Sequence, residues 1–294
     1  MQQTLQAEVC IIHMVNINAL KIYFGDPYEI SDKIIFYQPK IQDIIDCDES
    51  EFWSLVYMFV GNTTYYKLWL WENGIDWNKL SDYELFCQLV KSIPKEKTQV
   101  MFGDIDFSGF DLYKIPDPPP EPEPELNPDG TPKKLNGVQK NKLKMKEFER
   151  TVTFYNPEQD IEITADTYHD LVDVMRDTFK INPKTEYTAS KMTKELLIDE
   201  EKAKIKKAEV DKRDGKETSS STLLPLISFC VNHPGFKYKT SELREIGISE
   251  FMDSVRRLQV YESTRATLNG AYSGFADMSK VPKDQFDFTR PIEN

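Results

Sequence analysis

Cysteine, histidine and glycine are scarce in this sequence, and none of them forms a familiar ligand-binding pattern. The chain of 294 residues has 4 cysteines, 3 histidines and 12 glycines. The cysteines, Cys10, Cys47, Cys87 and Cys230, lie far apart and include no Cys-x-x-Cys pair, which excludes the usual structural zinc motifs. The sequence also has no glycine-rich phosphate loop and no Gly-x-Ser-x-Gly elbow, so it predicts neither a common nucleotide-binding enzyme nor an α/β-hydrolase. We expect the cysteines to be buried and reduced, as in a reducing cytosol.

Long apolar runs are absent as well. The longest, Phe52–Val60, is interrupted by a serine and falls well short of the roughly 20 residues that a membrane-spanning helix needs. The N-terminus lacks the basic region and small-residue cleavage site of a signal peptide, and Glu8 precedes its first apolar stretch. We therefore expect no membrane segment. Met14 resembles a second start, so residues 1–13 are predicted to be a disordered leader, with translation from Met1 or Met14 left open.

The excess charge of the chain is acidic. Lys and Arg total 37 against 49 Asp and Glu, which gives a net charge of −12. This balance disfavours a general nucleic-acid-binding protein, because phosphate binding needs a surplus of cations. Hydrophobic residues make up 39% of the chain and aromatic residues 12%. That is enough apolar material for a sizeable core, so the composition excludes wholesale disorder.

Aromatic and β-branched runs separated by Gly, Pro and Asp predict a small antiparallel sheet near the N-terminus. Its expected strands are Lys21–Phe24, Tyr28–Ile30 and Ile34–Tyr37. Helices are predicted over Lys40–Ile45, after Asp48 and after Ser81, the last two opened by a capping side chain. The pattern leaves Tyr65–Trp71 as helix or strand. Further expected strands are Thr98–Phe102 and Ile105–Tyr113.

The composition changes over residues 116–150. Pro116–Pro132 is acidic and proline-rich, which favours a solvated polyproline II conformation, and Lys133–Arg150 carries seven basic residues and two acidic ones. Strands are predicted on both sides of the segment. If they pair, the segment is a long loop inserted into one domain, and otherwise it links two domains; we favour the inserted loop. Its basic half suits phosphate contacts but lacks interleaved aromatic residues, so a solvated loop is the stronger interpretation.

Helices are expected over most of the remaining chain. Thr164 is predicted to open a helix that carries Tyr168 and Phe179 on one face. Residues 190–212 are dense in Lys and Glu, which is typical of a solvated helix or a hinge. The last expected helices are Thr222–Val231, a short helix capped by Ser241 and a longer helix opened by Ser249.

These elements predict an α+β fold that is helix-rich, with a small antiparallel sheet in an N-terminal domain and an all-helical C-terminal domain. The expected bounds are 14–182 for the N-terminal domain with its insert at about 116–150, 183–217 for a charged helix or hinge, and 218–294 for the helical C-terminal domain. The last boundary follows from Asp214-Gly215 and the serine-rich stretch after it.

Few residues suggest catalytic or metal chemistry. Asp104, Asp106 and Asp111 are close together on an expected strand, a pattern that can hold a metal but is more typical of an edge strand that resists unwanted pairing. A catalytic histidine needs a nucleophile or a carboxylate as its partner, and the sequence does not place one against the ring of His169 or His233. We therefore interpret them as a helix-surface residue and a turn residue. The sequence therefore predicts a non-enzymatic protein with no catalytic residues, no metal and no cofactor.

A dense group of aromatic residues is the most unusual local feature. Seven Trp and Tyr residues fall between positions 53 and 77. Core packing accounts for most such residues, but any that are exposed form an apolar patch of the kind that a protein partner covers. The candidate partner-binding residues, including three from the expected C-terminal helix, are Trp53, Tyr57, Tyr66, Trp69, Trp71, Trp77, Phe251, Val255 and Leu258.

Short segments of the chain resemble a known group of proteins. Leu224–Ser228, Asn232–Tyr238 and Gly247–Gln259 look like morphogenesis proteins encoded by tailed bacteriophages of low-G+C hosts. Ile22–Asp26, followed by Pro39 and a helix, is similar in layout to phage tail-assembly proteins. The resemblance covers about half of the chain and carries over no functional residues. The chain departs from the small tail chaperones by its proline-rich insert and its larger C-terminal region.

The resemblance implies an assembly or virion role that is exercised by binding. We expect a tail-assembly chaperone in the host cytoplasm, whose aromatic N-terminal region and C-terminal helices cover apolar helices of a long tail protein. Its acidic charge would keep the free form soluble. The alternatives are a structural component of the tail, neck or baseplate, present in the virion, and an enzyme of phage nucleic-acid metabolism. A homo-oligomer is left open, and neither a membrane nor a nucleic acid is an expected partner.

Overall fold

Helices dominate the chain, and the helix-rich α+β class is confirmed. The structure, a computed structural model, describes residues 17–120, 135–188, 190–215, 221–273, 279 and 281–292. The α-helices in these residues are α1 Ala19–Phe24, α2 Ile41–Asp46, α3 Glu49–Val60, α4 Lys67–Glu72, α5 Asp82–Val90, α6 Lys95–Phe102, α7 Gly137–Thr151, α8 Ala165–Phe179, α9 Lys191–Arg213, α10 Leu223–Asn232, α11 Thr240–Leu243 and α12 Ile248–Ser273. The strands are β1 Tyr28–Ser31, β2 Ile34–Phe36, β3 Asp111–Lys114, β4 Val152–Asn156 and β5 Ile161–Ile163. The predicted leader, residues 1–13, and most of the proline-rich stretch lie outside the described residues.

The strands of the described residues form two antiparallel sheets. β1 and β2 make a hairpin in which Tyr28 lies opposite Phe36. The second sheet has the order β3-β4-β5, and Phe154 at its centre lies opposite Leu112 on one side and Ile163 on the other. β3 precedes the proline-rich stretch and β4 follows it, so the stretch lies between two strands that pair with each other.

Two predicted strands are wrong, because both segments are helical. Lys21–Phe24 belongs to α1, where the Asn18 side chain accepts a backbone N–H of the first turn and Gly25 ends the helix in the left-handed conformation. Thr98–Phe102 belongs to α6, which follows Pro94 in an extended N-cap conformation. In both segments the caps and the tertiary packing outweigh the β propensity of short aromatic and β-branched runs.

Two further segments differ in detail from the prediction. The expected strand over Ile105–Tyr113 contains a 3-10 turn at Phe107–Gly109, and only its last three residues lie in β3. The turn begins where the Asp106 carboxylate accepts the Ser108 backbone N–H at 3.0 Å. The ambiguous stretch Tyr65–Trp71 is helical over α4.

The predicted capping residues open their helices. Asp48 accepts the backbone N–H of the third residue of α3, Ser81 does so for α5, and Thr164 does so for α8. In α12, by contrast, the helix begins at Ile248, one residue before the predicted Ser249. In α11 the N-cap is Lys239, so Ser241 lies inside the helix. Local side-chain acceptors therefore predict the starts of α3, α5 and α8, and miss those of α11 and α12 by one or two residues.

The basic half of the insert is a helix, which corrects the prediction of a solvated loop. α7 begins at a capping box between Asn136 and Gln139. Every residue of α7 is described, and none is buried. It is anchored at its end by Phe148, whose ring centroid lies 6.1 Å from that of Tyr83. Lysine is a good helix former, so the charged stretch needs little burial to remain helical.

The main core gathers residues from most of the described chain. α8 lies at its centre and buries eight of its 15 residues, all of which are described. Aromatic side chains fill the space beside it, such as Phe59, whose ring stacks on that of Phe102 at 5.0 Å. Phe251 and Val255 of α12 belong to the same apolar cluster, so the C-terminal helices share a core with the N-terminal elements.

A second, smaller apolar cluster lies between α4, α5 and α9. Its buried members are Leu70, Trp77, Leu80, Leu85 and Ile198. Within the described residues, none of the helices combines the length and the apolar composition that crossing a bilayer requires.

Candidate protein-binding surface

Four aromatic side chains cluster at the turn between α3 and α4, and we name them the aromatic surface: Tyr57 on α3, Tyr65 and Tyr66 in the turn, and Trp69 on α4. The rings of Tyr57 and Tyr65 are stacked with their centroids 4.7 Å apart. Tyr66 contacts Tyr65 edge-on at 5.0 Å and Trp69 at 6.4 Å. Tyr65 is nevertheless 51% exposed and Trp69 47% exposed. Ring contacts of this kind hold aromatic side chains in place, so binding a partner costs them little conformational freedom.

Gly61 allows the close turn that brings these rings together. A Cβ at this position would lie 2.6 Å from the Tyr57 carbonyl oxygen and 2.7 Å from Cε2 of Tyr66. Both distances are well below van der Waals contact, so any side chain here would push α3 and the rings apart. The next residue fixes the turn, because Oδ1 of Asn62 accepts the Tyr65 backbone N–H at 2.8 Å.

Burial raises the pKa of two tyrosines of the aromatic surface, Tyr66 and Tyr65. It raises the pKa of Tyr66 well above its ordinary value, with a smaller effect from the neighbouring Tyr65. Burial also raises the pKa of Tyr65, followed by the influence of Tyr57 and of Glu201 on α9. The surface therefore offers apolar rings with hydroxyl donors, and its charge comes only from the side chains around it.

An extended segment, residues 184–188, crosses the base of this turn and leads towards α9. Asn62 donates its side-chain N–H to the first carbonyl of the segment at 3.1 Å, and Asn78 donates to the last carbonyl at 2.7 Å. The Thr64 hydroxyl accepts the Glu186 backbone N–H at 3.0 Å. The three side chains are buried, and they satisfy backbone groups that would otherwise lack partners.

α9 lies across the second apolar cluster, in what we name the α9 groove, lined by Leu70, Trp77, Leu80 and Leu85 with Asp76 at its rim. Lys194 Nζ lies 2.6 and 2.8 Å from the two carboxylate oxygens of Asp76 and 5.7 Å from the ring centroid of Trp77. Ile198 packs into the cluster one turn later. The Trp77 Nε1 atom is buried and has no acceptor among the described residues, an arrangement that costs about 1–3 kcal/mol.

The predicted partner-binding residues divide by their exposure. Tyr57, Tyr66 and Trp69 belong to the aromatic surface. Trp77, Phe251 and Val255 are 1%, 0% and 4% exposed. These three are core residues and do not contribute to an accessible surface. The helical spacing that selected them identifies an apolar face, which is as typical of a buried helix as of a binding one.

The other three predicted residues are half-buried: Trp53, Trp71 and Leu258. Trp53 packs against Phe179 with ring centroids 5.9 Å apart. Trp71 packs against the buried Trp77 at 5.8 Å. Trp53 and Leu258 pack against the main core, whereas Trp71 packs against the second apolar cluster beside the α9 groove.

A second exposed apolar surface, on α10, is not among the predicted site residues. Leu224, Phe229 and Val231 are 57%, 38% and 41% exposed. The sequence contains the signal, because α10 is apolar on all sides and a helix on a protein surface can bury only one face. Every residue of α10 is described, and only Leu223 and Cys230 are buried.

The aspartates considered as metal ligands have separate local partners. Asp104 pairs with Lys95 at 2.6 Å, and Asp111 pairs with Lys91 at 2.8 Å. These ion pairs lower the pKa of both carboxyls. Asp106 caps a 3-10 turn. In the part of the chain that the structure describes, no group of three or more His, Cys, Asp and Glu side chains is placed to hold a metal ion.

The two histidines considered in the sequence analysis also have structural neighbours. His233 accepts the Gly235 backbone N–H at Nδ1 (3.0 Å), and its Nε2 lies 3.1 Å from a Glu262 carboxylate oxygen. His233 therefore ties the turn after α10 to α12. His169 lies on α8, where its ring centroid is 5.1 Å from that of Tyr168.

Comparison with known proteins finds no matching family model, no matching curated protein and no matching solved structure.

Proposed function

We propose that this protein acts by binding another protein through the aromatic surface, and that it is a tail-assembly chaperone of a tailed bacteriophage. The observation that carries the binding role is the joint exposure of Tyr65 and Trp69 on a turn that Gly61 holds close. Tryptophan and tyrosine dominate the energetics of protein interfaces when a partner removes them from water. The short segments that resemble phage morphogenesis proteins support the assembly setting.

The expected client is a long tail protein that presents apolar helix faces before it polymerises. The aromatic surface supplies flat rings for such a face, and the exposed apolar side chains of α10, which include Leu224 and Phe229, supply a second contact. The net charge of −12 opposes self-association of the free protein. Each of these features suits a protein that covers the apolar helices of its client for a limited time.

Co-expression with the tail protein of the same phage tests the binding role. Trp69→Ala should weaken binding of the client by at least about tenfold, because an exposed interface tryptophan commonly contributes 2 kcal/mol or more. The matched control is Tyr272→Ala, since Tyr272 is an 86% exposed aromatic residue on α12 and its loss should leave binding unchanged. Unaltered affinity of the Trp69 variant, measured by isothermal calorimetry, would contradict the proposed surface.

Quantitative mass spectrometry of purified particles and of the crude lysate tests the assembly role. A chaperone is abundant in the lysate and absent from the particles. Recovery in the particles at a fixed integral copy number would contradict the chaperone and support a structural tail, neck or baseplate component. Absence from both would contradict the phage setting while leaving the binding surface to be tested by the Trp69 variant.

A further inference from the structure

We propose that the α9 groove is a helix-docking site, that α9 occupies it within the same chain, and that a partner helix with the same side-chain pattern displaces α9. The inference adds a site to the proposed function and does not depend on the aromatic surface. Three observations support it. Only two residues of α9 are buried, its contacts have the spacing of one helix face, and Trp77 Nε1 in the groove has no acceptor among the described residues.

α9 is attached to the rest of the chain by few buried side chains. It has 23 residues, all described, of which only Lys194 and Ile198 are buried. α8, which belongs to the main core, buries eight of 15. Met192 and Leu196 of α9 are 72% and 54% exposed. Because so few of its side chains are buried, α9 is bound in the groove and is not part of the main core. Releasing such a helix locally needs less free energy than unfolding the whole protein.

The contacts of α9 follow the spacing of helix-in-groove recognition. Lys194 pairs with Asp76 at 2.6 Å, Ile198 enters the apolar cluster, and Glu201 lies 3.7 Å from Lys67. These three side chains are at positions i, i+4 and i+7, which lie on one helix face. The groove therefore selects a helix with the pattern Lys-x-x-x-Ile-x-x-Glu.

The ion pairs set the specificity of the groove. The side chains of Lys67 and Lys194 are each only 10% exposed. Desolvation offsets much of the attraction in such pairs, whereas a helix that places no cation opposite Asp76 loses the closest ion pair between α9 and the groove. Lys67 keeps Glu186 at 2.9 Å whichever helix is docked, so the Lys194 end of the pattern contributes most to specificity.

α9 is an imperfect occupant, which makes exchange feasible. Trp77 Nε1 remains buried without an acceptor among the described residues while α9 is docked. The covalent connection, however, gives α9 a high effective concentration at the groove. A separate helix must therefore compete with α9, and its apparent affinity rises when docking within the chain is weakened.

The test uses the full chain and a fluorescein-labelled peptide of residues 190–213. Ile198→Asp in the protein should release α9 while leaving the lining of the groove intact. Fluorescence anisotropy should then show the peptide binding the variant at least ten times more tightly than the wild-type protein. The matched control is Leu196→Asp, at an exposed position on the same helix, which should behave as wild type. A peptide carrying Lys194→Glu should bind neither protein.

Hydrogen exchange separates release of α9 from loss of the fold. The inference expects faster exchange across residues 191–201 in the Ile198→Asp variant and unchanged protection in α8. Accelerated exchange in both helices, or equal peptide affinity for the variant and the wild type, overturns it. A designed helix with Lys-x-x-x-Ile-x-x-Glu on an alanine-rich background should compete with the peptide. A shuffled helix that competes equally well would show that the groove does not read the pattern, and would also overturn the inference.

Discussion

A carboxylate from α3 holds the start of α10, and removing it should loosen the C-terminal helices. The Oε1 atom of Glu49 accepts two backbone N–H groups, that of Thr222 at 2.8 Å and that of Leu223 at 2.9 Å. Trp53 Nε1 lies 3.3 Å from the same oxygen. The first N–H groups of a helix lack partners within the helix, so Glu49 acts as a cap supplied from a distant part of the chain.

The size of the effect follows from these contacts. Loss of a helix cap costs about 1 kcal/mol, and loss of a negative charge at a helix N-terminus costs about 0.3–1 kcal/mol when the site is partly exposed. Glu49 is half-buried, so full charge-assisted hydrogen-bond energies do not apply. We expect Glu49→Ala to lower the free energy of unfolding by ~1–2 kcal/mol. Glu49→Gln keeps an acceptor and should lose about half as much.

The pH dependence of this effect has a definite sign. Burial alone would raise the pKa of Glu49, but hydrogen bonds from Ser221, Leu223 and Thr222 outweigh it, and the pKa is lowered. A carboxylate whose pKa is lowered by folding stabilises the folded state at pH values above its ordinary pKa. This stabilisation is lost as the pH falls from the ordinary pKa through the lowered pKa of the folded state. The stability difference between wild type and Glu49→Gln should therefore be full at pH 7 and shrink below about pH 4.

Urea denaturation followed by circular dichroism at pH 7 and pH 3.5 measures both effects. Glu200→Gln, a change at an exposed carboxylate of α9, controls for the loss of one negative charge. Hydrogen exchange across residues 223–232 reports whether α10 loosens by itself. A Glu49→Ala protein as stable as the wild type at pH 7, with unchanged exchange in α10, would refute the reasoning.

Three further outcomes follow from buried contacts. Gly61→Ala should lower the free energy of unfolding by ~1–3 kcal/mol, because its Cβ meets a backbone oxygen at 2.6 Å. Gly137→Ala places its Cβ where no atom beyond the adjacent backbone lies within 4 Å, so it should leave the free energy of unfolding unchanged in the same urea titration. Tyr83→Phe removes the buried hydrogen bond from Tyr83 to the Ile163 carbonyl at 2.7 Å and should cost about 1–2 kcal/mol, which an unchanged calorimetric Tm would contradict. Burial raises the pKa of Cys230 to about 11, so its reaction with a disulfide reagent at pH 8 should be at least about tenfold slower than in urea; equal rates would show that the thiol is accessible.

Helix starts were predictable because their signals are local. Ser81 and Thr164 sit within three residues of the N–H groups that they accept, so the sequence contains both partners of each contact. The errors at Lys21–Phe24 and Thr98–Phe102 have the opposite cause. Their side chains favour strands in isolation, and although their caps are local, the packing surfaces that stabilise the helices come from other segments.

The surfaces were harder to predict than the elements, because exposure depends on contacts between distant residues. The aromatic region is evident from the sequence, but Trp69, which faces solvent, and Trp77, which α9 covers from more than 100 positions away, have the same local pattern. The hydrogen bond between Asn62 and Lys184 spans 122 positions and has no local signature. Periodicity shows that a helix has an apolar face, and only the fold shows what covers it.

The pairing of β3 with β4 makes the segment between them a natural site for insertion. The Ile115 backbone N–H donates to the Thr151 carbonyl at 2.9 Å, which extends the closure beyond the strands themselves. Once a loop is closed at its base, doubling its length costs only about 0.6 kcal/mol in chain entropy. A fluorescent protein or an affinity tag inserted between Pro119 and Asn136 should therefore leave the fold intact.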